Sequence, residues 1–334
     1  MKKSKIAVIG LGGIAQLVHL PILSKLSNVE ISAVSDKSKS NLKSVADKFG
    51  IKNRYVDYKE LLKNDDCDAI IISTPTSIHR DIAIDVLKAG KHVLIEKPVA
   101  KSLKEAEDIK KASLKYNKSV MVGMNLRYRP DAMLLKSLLN NKEIGEVFYI
   151  KASWLRKQSS NEKWFMKKGE AGGGVLMDLG ILLLDLSIWL LNYADVSAVS
   201  VKNFMHRTKA IEDSSVGLVR LEGNKIVNFE VSWSLLSDKD SLHLDIFGTQ
   251  GTAHLNPLRA YKLINGIKID YSPSHSAAGN KNLYKKSYEN ELKHFIGTVQ
   301  GNVGITSSID SALHRMKLLE ALYKSAKTNA EVKL

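Results

Sequence analysis

Up to Gly123, short apolar runs rich in β-branched residues alternate with stretches whose apolar positions recur at helical spacing. The runs predict strands at Lys5–Ile9, Glu30–Ser35, Asn53–Val56, Ala69–Ser73, His92–Glu96 and Ser119–Gly123. The helical spacing predicts helices at Ile14–Leu26, Lys39–Phe49, Ser77–Lys88 and Leu103–Tyr116. Strands that are apolar at nearly every position are buried on both faces, which is the condition of a parallel sheet covered by helices. Right-handed crossovers then give a doubly wound α/β fold.

After Gly123 the period changes. A helix near Ala132–Leu139 leads to long alternating strands at Glu146–Leu155, Val196–Phe204, Ser215–Leu221 and Ile226–Leu235. Adjacent strands of this length predict a large, mostly antiparallel mixed sheet. Helices are expected near Asp178–Leu191, Leu283–Gln300 and Ser308–Thr328, and Asp270–Asn282 reads as loop. The domains expected are therefore 1–123, doubly wound, and 124–334, α+β. A broad sheet with helices on one face leaves the other needing cover. Self-association is thus expected through that sheet, in which Phe229, Val231 and Trp233 alternate with polar residues.

Between the first strand and first helix lies Gly10-Leu11-Gly12-Gly13-Ile14-Ala15, which matches the dinucleotide fingerprint G-x-G-x-x-A. Gly10 permits the tight turn, Gly12 lets the backbone approach a pyrophosphate, and Ala15 is small enough for helix–strand packing. The helix N-terminus offers unpaired N–H groups to the phosphates. Gly13 and Ile14 complete the turn. Asp36 ends the second strand, where a carboxylate accepts from ribose hydroxyls and repels a 2′-phosphate; a turn or N-cap role is the alternative. NAD is therefore favoured, with NADP still possible because Lys37 and Lys39 are close by. Ser73, Thr74 and Pro75 end the fourth strand at the edge that lines a cofactor crevice. His79 follows as a cofactor contact or a capping residue.

Composition bounds the rest. Hydrophobic residues make up 44% and charged residues 25%, ordinary for a globular chain. No apolar run is long enough to predict a membrane-spanning helix. The single cysteine, Cys67, rules out an intrachain disulfide and points to a reducing, cytoplasmic setting. Lys2, Lys3 and Lys5 before Ile6–Ala15 imitate a short signal peptide, but strand and glycine turn explain them better. The net charge is +15, yet only nine of the fifty basic residues are arginine and the lysines are scattered. Nucleic-acid binding is not expected, since base readout and phosphate clamps favour arginine. His206, His243, His254 and His294 have no metal-ligand spacing, and no metal is expected. Neither a Walker loop nor a nucleophile elbow occurs.

The fifth strand runs into Glu96-Lys97-Pro98, preceded by Ala89-Gly90-Lys91-His92-Val93. Further along stand Gly123-Met124-Asn125-Leu126-Arg127-Tyr128-Arg129-Pro130, Ile144-Gly145, Gly172–Gly174, Asp178-Leu179-Gly180, Gly248-Thr249-Gln250-Gly251-Thr252 and Glu291-Leu292-Lys293-His294-Phe295. In these elements the chain resembles the glucose–fructose oxidoreductase and inositol dehydrogenase (Gfo/Idh/MocA) family over nearly its whole length.

The resemblance implies a Rossmann domain followed by a mixed-sheet domain that forms dimers or tetramers. It also implies hydride transfer between a nicotinamide and a hydroxyl–carbonyl pair on a sugar, cyclitol or related compound. Lys97 would sit beside the substrate hydroxyl and nicotinamide, where a desolvated ammonium relays a proton. Glu96 and Asn125 join the cofactor set, and the Lys97–Pro98 bond is often cis in the family. Asp178 becomes a catalytic, substrate-binding carboxylate, although an N-cap explains it too. Arg127, Arg156 and Trp164 are further substrate candidates; turn and salt-bridge roles compete for Asn125 and Arg127, and a core role for Trp164.

The family often pairs that carboxylate with a histidine four residues on, and here Leu182 occupies the position. Lys97 then works without an imidazole, or Tyr128 or Arg156 takes the space. A different reading is a non-catalytic dinucleotide-binding sensor or partner protein. An apolar Leu182 also argues against a small, fully hydroxylated sugar.

Overall fold

The computed structural model describes residues 3–157, 163–234, 239–273 and 283–334. Among these, two compact units are resolved: 1–124 with 288–314, and 125–287 with 315–334. The hydrophobic pattern marks one boundary, near Gly123; the chain nevertheless returns to the first unit at 288–314. Helical periodicity says that a helix has an apolar face, but not which sheet that face meets.

In the first unit β1 (Ser4–Ile9), β2 (Val29–Ser35), β3 (Asn53–Tyr55), β4 (Ala69–Ile72), β5 (His92–Ile95) and β6 (Val120–Val122) form a parallel sheet in the order β3-β2-β1-β4-β5-β6. The order reverses between β1 and β4, the topological switch point at which such sheets bind ligands. Residues Ile6–Val8, Ala69–Ile72 and Val93–Ile95 are fully buried, as their continuous apolar runs require.

The first helix opens with one π-helical turn, Ala15–His19, and continues as α1 (Leu20–Leu23). Then come α2 (Lys39–Phe49), α3 (Tyr58–Asn64), α4 (His79–Lys88) and α5 (Leu103–Tyr116). The short α3 was not predicted; it buries only Leu61 and rests on the Asp57 side chain, which accepts from Lys59 N–H. Near the chain's end, Val122 N–H bonds Ser307 O at 2.8 Å, tying the returning segment to β6.

The second unit is built on a nine-stranded sheet: β7 (Val147–Leu155), β8 (Val196–Phe204), β9 (Ser214–Leu221), β10 (Lys225–Ser232), β11 (Ser241–Gly248), β12 (Gly251–Leu255), β13 (Arg259–Ile264), β14 (Ile267–Asp270) and β15 (Val332–Lys333). Its order is β14-β13-β12-β11-β7-β10-β9-β8-β15, antiparallel except for β7 against β10. Its helices are α6 (Pro130–Asn140), α7 (Lys168–Ala171), a π-helical turn at Leu176–Gly180 and α8 (Ile181–Leu190); α9 (Leu283–Val299) belongs to the first unit from Tyr288 onward, and α10 (Ile309–Thr328) to the second from Arg315 onward. Leu235, the expected end of the fourth long strand, and 274–282 of the expected loop lie outside the described residues. Strands β11–β14 were not predicted, although Leu242, Leu244 and Ile246 of β11 alternate with His243 and Asp245.

Phe229, Val231 and Trp233 point to the covered side of this sheet and are buried. The opposite face carries Tyr149, Val216, Leu218, Ile226 and Phe247 instead, so the strands are turned one residue from the expectation for a contact face. Among the described residues one segment, Lys168–Leu190, is long and apolar enough to cross a membrane, but 94% of its window is buried inside the protein. It is the core helix of the second unit.

Candidate functional site

In the first unit, Gly10 sits where β1 gives way to the glycine turn. Its φ is +91°, and a Cβ there would lie 2.7 Å from the Ser73 carbonyl carbon, so only glycine fits. Its N–H bonds Ser35 O at 2.8 Å, and Ser73 Oγ donates to Gly10 O at 2.8 Å. The turn is thereby clamped between the ends of β2 and β4. Gly12 and Gly13 are exposed, with nothing within 4 Å of where a Cβ would project. Ile14 is half-buried and Ala15 fully buried at the start of the π turn.

Asp36 Oδ2 accepts from Leu11 N–H at 2.7 Å and Oδ1 from Ser38 N–H at 2.8 Å. The carboxylate thus braces the turn and still has lone pairs for a ribose. Thr74 Oγ1 is a buried hydroxyl without a hydrogen-bond partner among the described residues. The open backbone over Gly12 and Gly13, the lone Thr74 hydroxyl and the Asp36 carboxylate together fit a dinucleotide. Half-buried Pro75 begins the next turn. His79 is 1% exposed, and both ring nitrogens face backbone carbonyls, Pro98 O at 2.9 Å and Thr74 O at 2.8 Å. Burial lowers its pKa in spite of those two acceptors. The partners shown for His79 are structural: it ties the end of β4 to the turn after β5.

Lys97 is half-buried at the C-terminal end of β5, and its peptide bond to Pro98 is cis. Glu96 is buried. Burial alone would raise its carboxyl, but the hydrogen bond from His19, the His19 charge and Lys97 hold it below the usual range. His19 Nε2 lies 2.8 Å from Glu96 Oε1. Histidine in an apolar helix gave no sequence signal of this pairing.

In the second unit, Asp178 is buried within the π turn. It is not an N-cap: the helix begins earlier because Glu212 Oε1 accepts from Gly174 N–H at 2.9 Å and Leu176 N–H at 3.1 Å, and from the Tyr323 hydroxyl at 2.7 Å. The glycines there have a steric cause, since a Cβ on Gly173 would meet Tyr323 Oη at 1.9 Å and one on Gly174 the Glu212 carbonyl at 2.0 Å. Asp178 Oδ2 accepts from the indole Nε1–H of Trp233 at 3.0 Å. A tryptophan, three strands further along the chain, is therefore beside the carboxylate that the family often pairs with a histidine. Leu182 is buried at 5% exposure.

Phe165 lies 5.4 Å from the Trp233 ring and 5.6 Å from that of half-buried Trp164. Arg156 faces Asp240 at 3.2 Å, a charge contact not aligned as a hydrogen bond, and lies over Trp154. Arg127 is fully buried against Asp185 and the Tyr193 ring; the ion-pair alternative describes what surrounds it. Asn125 is buried, its Nδ2 donating to Ser287 Oγ at 3.0 Å. Tyr128 is buried as well.

Residues 4–124 match the family described as "Oxidoreductase family, NAD-binding Rossmann fold", and residues 133–254 match the GFO/IDH/MocA C-terminal domain. The chain belongs to the Gfo/Idh/MocA oxidoreductase family. Among curated Gfo/Idh/MocA relatives, D-glucoside 3-dehydrogenase of Escherichia coli is 26% identical, with 99% of this chain and 97% of the relative covered. Glucose-6-phosphate 3-dehydrogenase of Bacillus subtilis is 29% identical, over 96% and 95% of the two chains. Among solved structures, levoglucosan dehydrogenase in complex with NADH superimposes with a TM-score of 0.90 at 19% identity, covering 99% of each chain, a likeness of fold. This Gfo/Idh/MocA member is an NAD(P)-dependent dehydrogenase or reductase of a CH–OH group with NAD as cofactor, and the non-catalytic reading is set aside.

Proposed function

We propose that the enzyme interconverts a secondary ring hydroxyl and its ketone on a sugar, glycoside or cyclitol, with Lys97 as the proton relay. The observation that carries this reading is the place of Lys97: half-buried, next to buried Glu96, at the C-terminal end of a strand beside the switch point. The relatives named for glucosides, glucose 6-phosphate and scyllo-inositol support the substrate class. Bound NAD⁺ would accept the hydride from the carbinol carbon. Lys97 Nζ would take the hydroxyl proton as the C=O bond forms, and return it in the reverse direction. Asp36 supports NAD over NADP. Asp178, oriented by Trp233, is assigned to a substrate hydroxyl by the family resemblance.

The test is NADH formation with a panel of glucosides, sugar phosphates and inositols. Lys97→Ala should lower kcat by ~10²–10⁴ with little change in NADH affinity. Full activity in that variant would sink the assignment.

We further propose a homodimer or homotetramer associating through the outer sheet face. A shallow groove lined by Phe148, Tyr149, Leu218, Asn224, Ile226 and Asn228, with Phe148 46% exposed, supports it. Sedimentation velocity showing only a 37.0 kDa species at micromolar concentration would contradict it. A cytoplasmic location is supported by the lone buried Cys67, whose thiol burial pushes up to about 12.

A further inference from the structure

His19 closes the π turn that follows the glycine turn, and its ring is completely buried. Nε2 lies 2.8 Å from Glu96 Oε1. The other carboxylate oxygen, Oε2, accepts the Lys97 backbone N–H at 3.2 Å. One carboxylate thus joins the helix that begins at the cofactor turn to the peptide that carries Lys97. Nδ1 of His19 has no hydrogen-bond partner among the described residues. A buried ring with an orphan nitrogen is a poor packing choice, because a leucine would fill similar space without that desolvation cost. What leucine lacks is a donor for Glu96.

We propose that His19 is a positioning residue for Lys97, acting through the Glu96 carboxylate. The inference rests on the reading of Lys97 as proton relay. Without the His19 donor, a carboxylate this deeply buried takes up a proton more readily. Lys97 then loses the negative neighbour that favours its ammonium form. The groups facing the pair are Lys97 itself, His79, which feels the Glu96 charge, and Tyr288 of α9, edge-on to the His19 ring at 6.4 Å. Glu105 acts on His79 in turn. His79 does not replace the missing donor, because its nitrogens face backbone carbonyls.

Competitive acetylation of Lys97 across pH, read by peptide mass spectrometry of the full-length protein, reports the lysine's own ionisation without a substrate. Glu96→Gln and His19→Leu should each lower the Lys97 midpoint by about one pH unit. His19→Gln, whose amide N–H still reaches Glu96, should restore it. A lowered midpoint in Glu96→Gln with an unchanged one in His19→Leu would overturn the proposal, leaving His19 as packing. So would an unchanged midpoint in Glu96→Gln. Should His19→Leu not fold, ¹⁵N NMR of the wild-type ring decides: a proton on Nε2 supports the inference, and a bare Nε2 with the proton on Nδ1 defeats it. Failure of the relay reading itself looks different, as retained turnover in Lys97→Ala.

Discussion

Trp233 donates its indole N–H to the Asp178 carboxylate at 3.0 Å, and both residues are buried. A donor-only partner orients the carboxylate but cannot exchange protons with it. Trp233→Phe keeps a ring and removes the donor, which should cost about 1–3 kcal/mol, the range for a buried acceptor left short of a hydrogen bond. Urea unfolding measures it; unchanged stability would mean that Asp178 does not depend on this bond.

The two glycines of the cofactor turn should respond oppositely to substitution. Gly12→Val projects into open space, so the melting temperature should hold while NADH affinity, followed by fluorescence titration, falls. Gly10→Ala places a Cβ against the Ser73 backbone at positive φ and should destabilise the fold itself. Equal melting temperatures in both variants would contradict this division.

Asp36→Ser removes the charge that repels a 2′-phosphate and should shift preference toward NADP(H). The same change loses the bonds to Leu11 and Ser38 N–H, so affinity for both cofactors should also drop. Calorimetric titration with each cofactor separates the two effects. Tighter NADP(H) binding by the unaltered protein would refute the role of this carboxylate.

Acid should weaken the second unit through Asp185. Burial alone would raise its carboxyl, but Arg127 and Arg315 hold it below the usual carboxylate range. Arg127 Nε and Arg315 Nη1 each lie 2.7 Å from it. Asp185 lifts Arg127 above the guanidinium range in spite of burial, whereas burial and Arg127 together lower Arg315, the partner without the bidentate contact. A folded-state pKa below the unfolded value of about 3.9 contributes stability above that pH, and the contribution disappears as pH falls through the folded value. Asp185→Asn should cost about 3–5 kcal/mol near neutrality and flatten the acid limb of the stability profile. An unaltered acid limb would assign acid unfolding to other groups.

The sequence by itself determined the doubly wound sheet, because strands buried on both faces must be apolar at nearly every position, and β-branched runs such as Ala69–Ile72 alternate with helical patterns along the chain. The glycine turn and Asp36 were legible because strand, turn and helix follow one another in the chain, and Lys97 was singled out by the resemblance that Glu96-Lys97-Pro98 carries. Only the tertiary structure decided what Asp178, Arg127 and Glu96 touch. Their partners Trp233, Asp185 and His19 lie 55, 58 and 77 residues away. Periodicity ranks a residue as buried or exposed but carries no term for which distant side chain shares its burial. The return of 288–314 to the first unit was hidden for the same reason, and so was the face of β10 that Phe229 and Val231 occupy. Alternation fixes that one face of a strand is covered, and the packing of helices on the sheet fixes which.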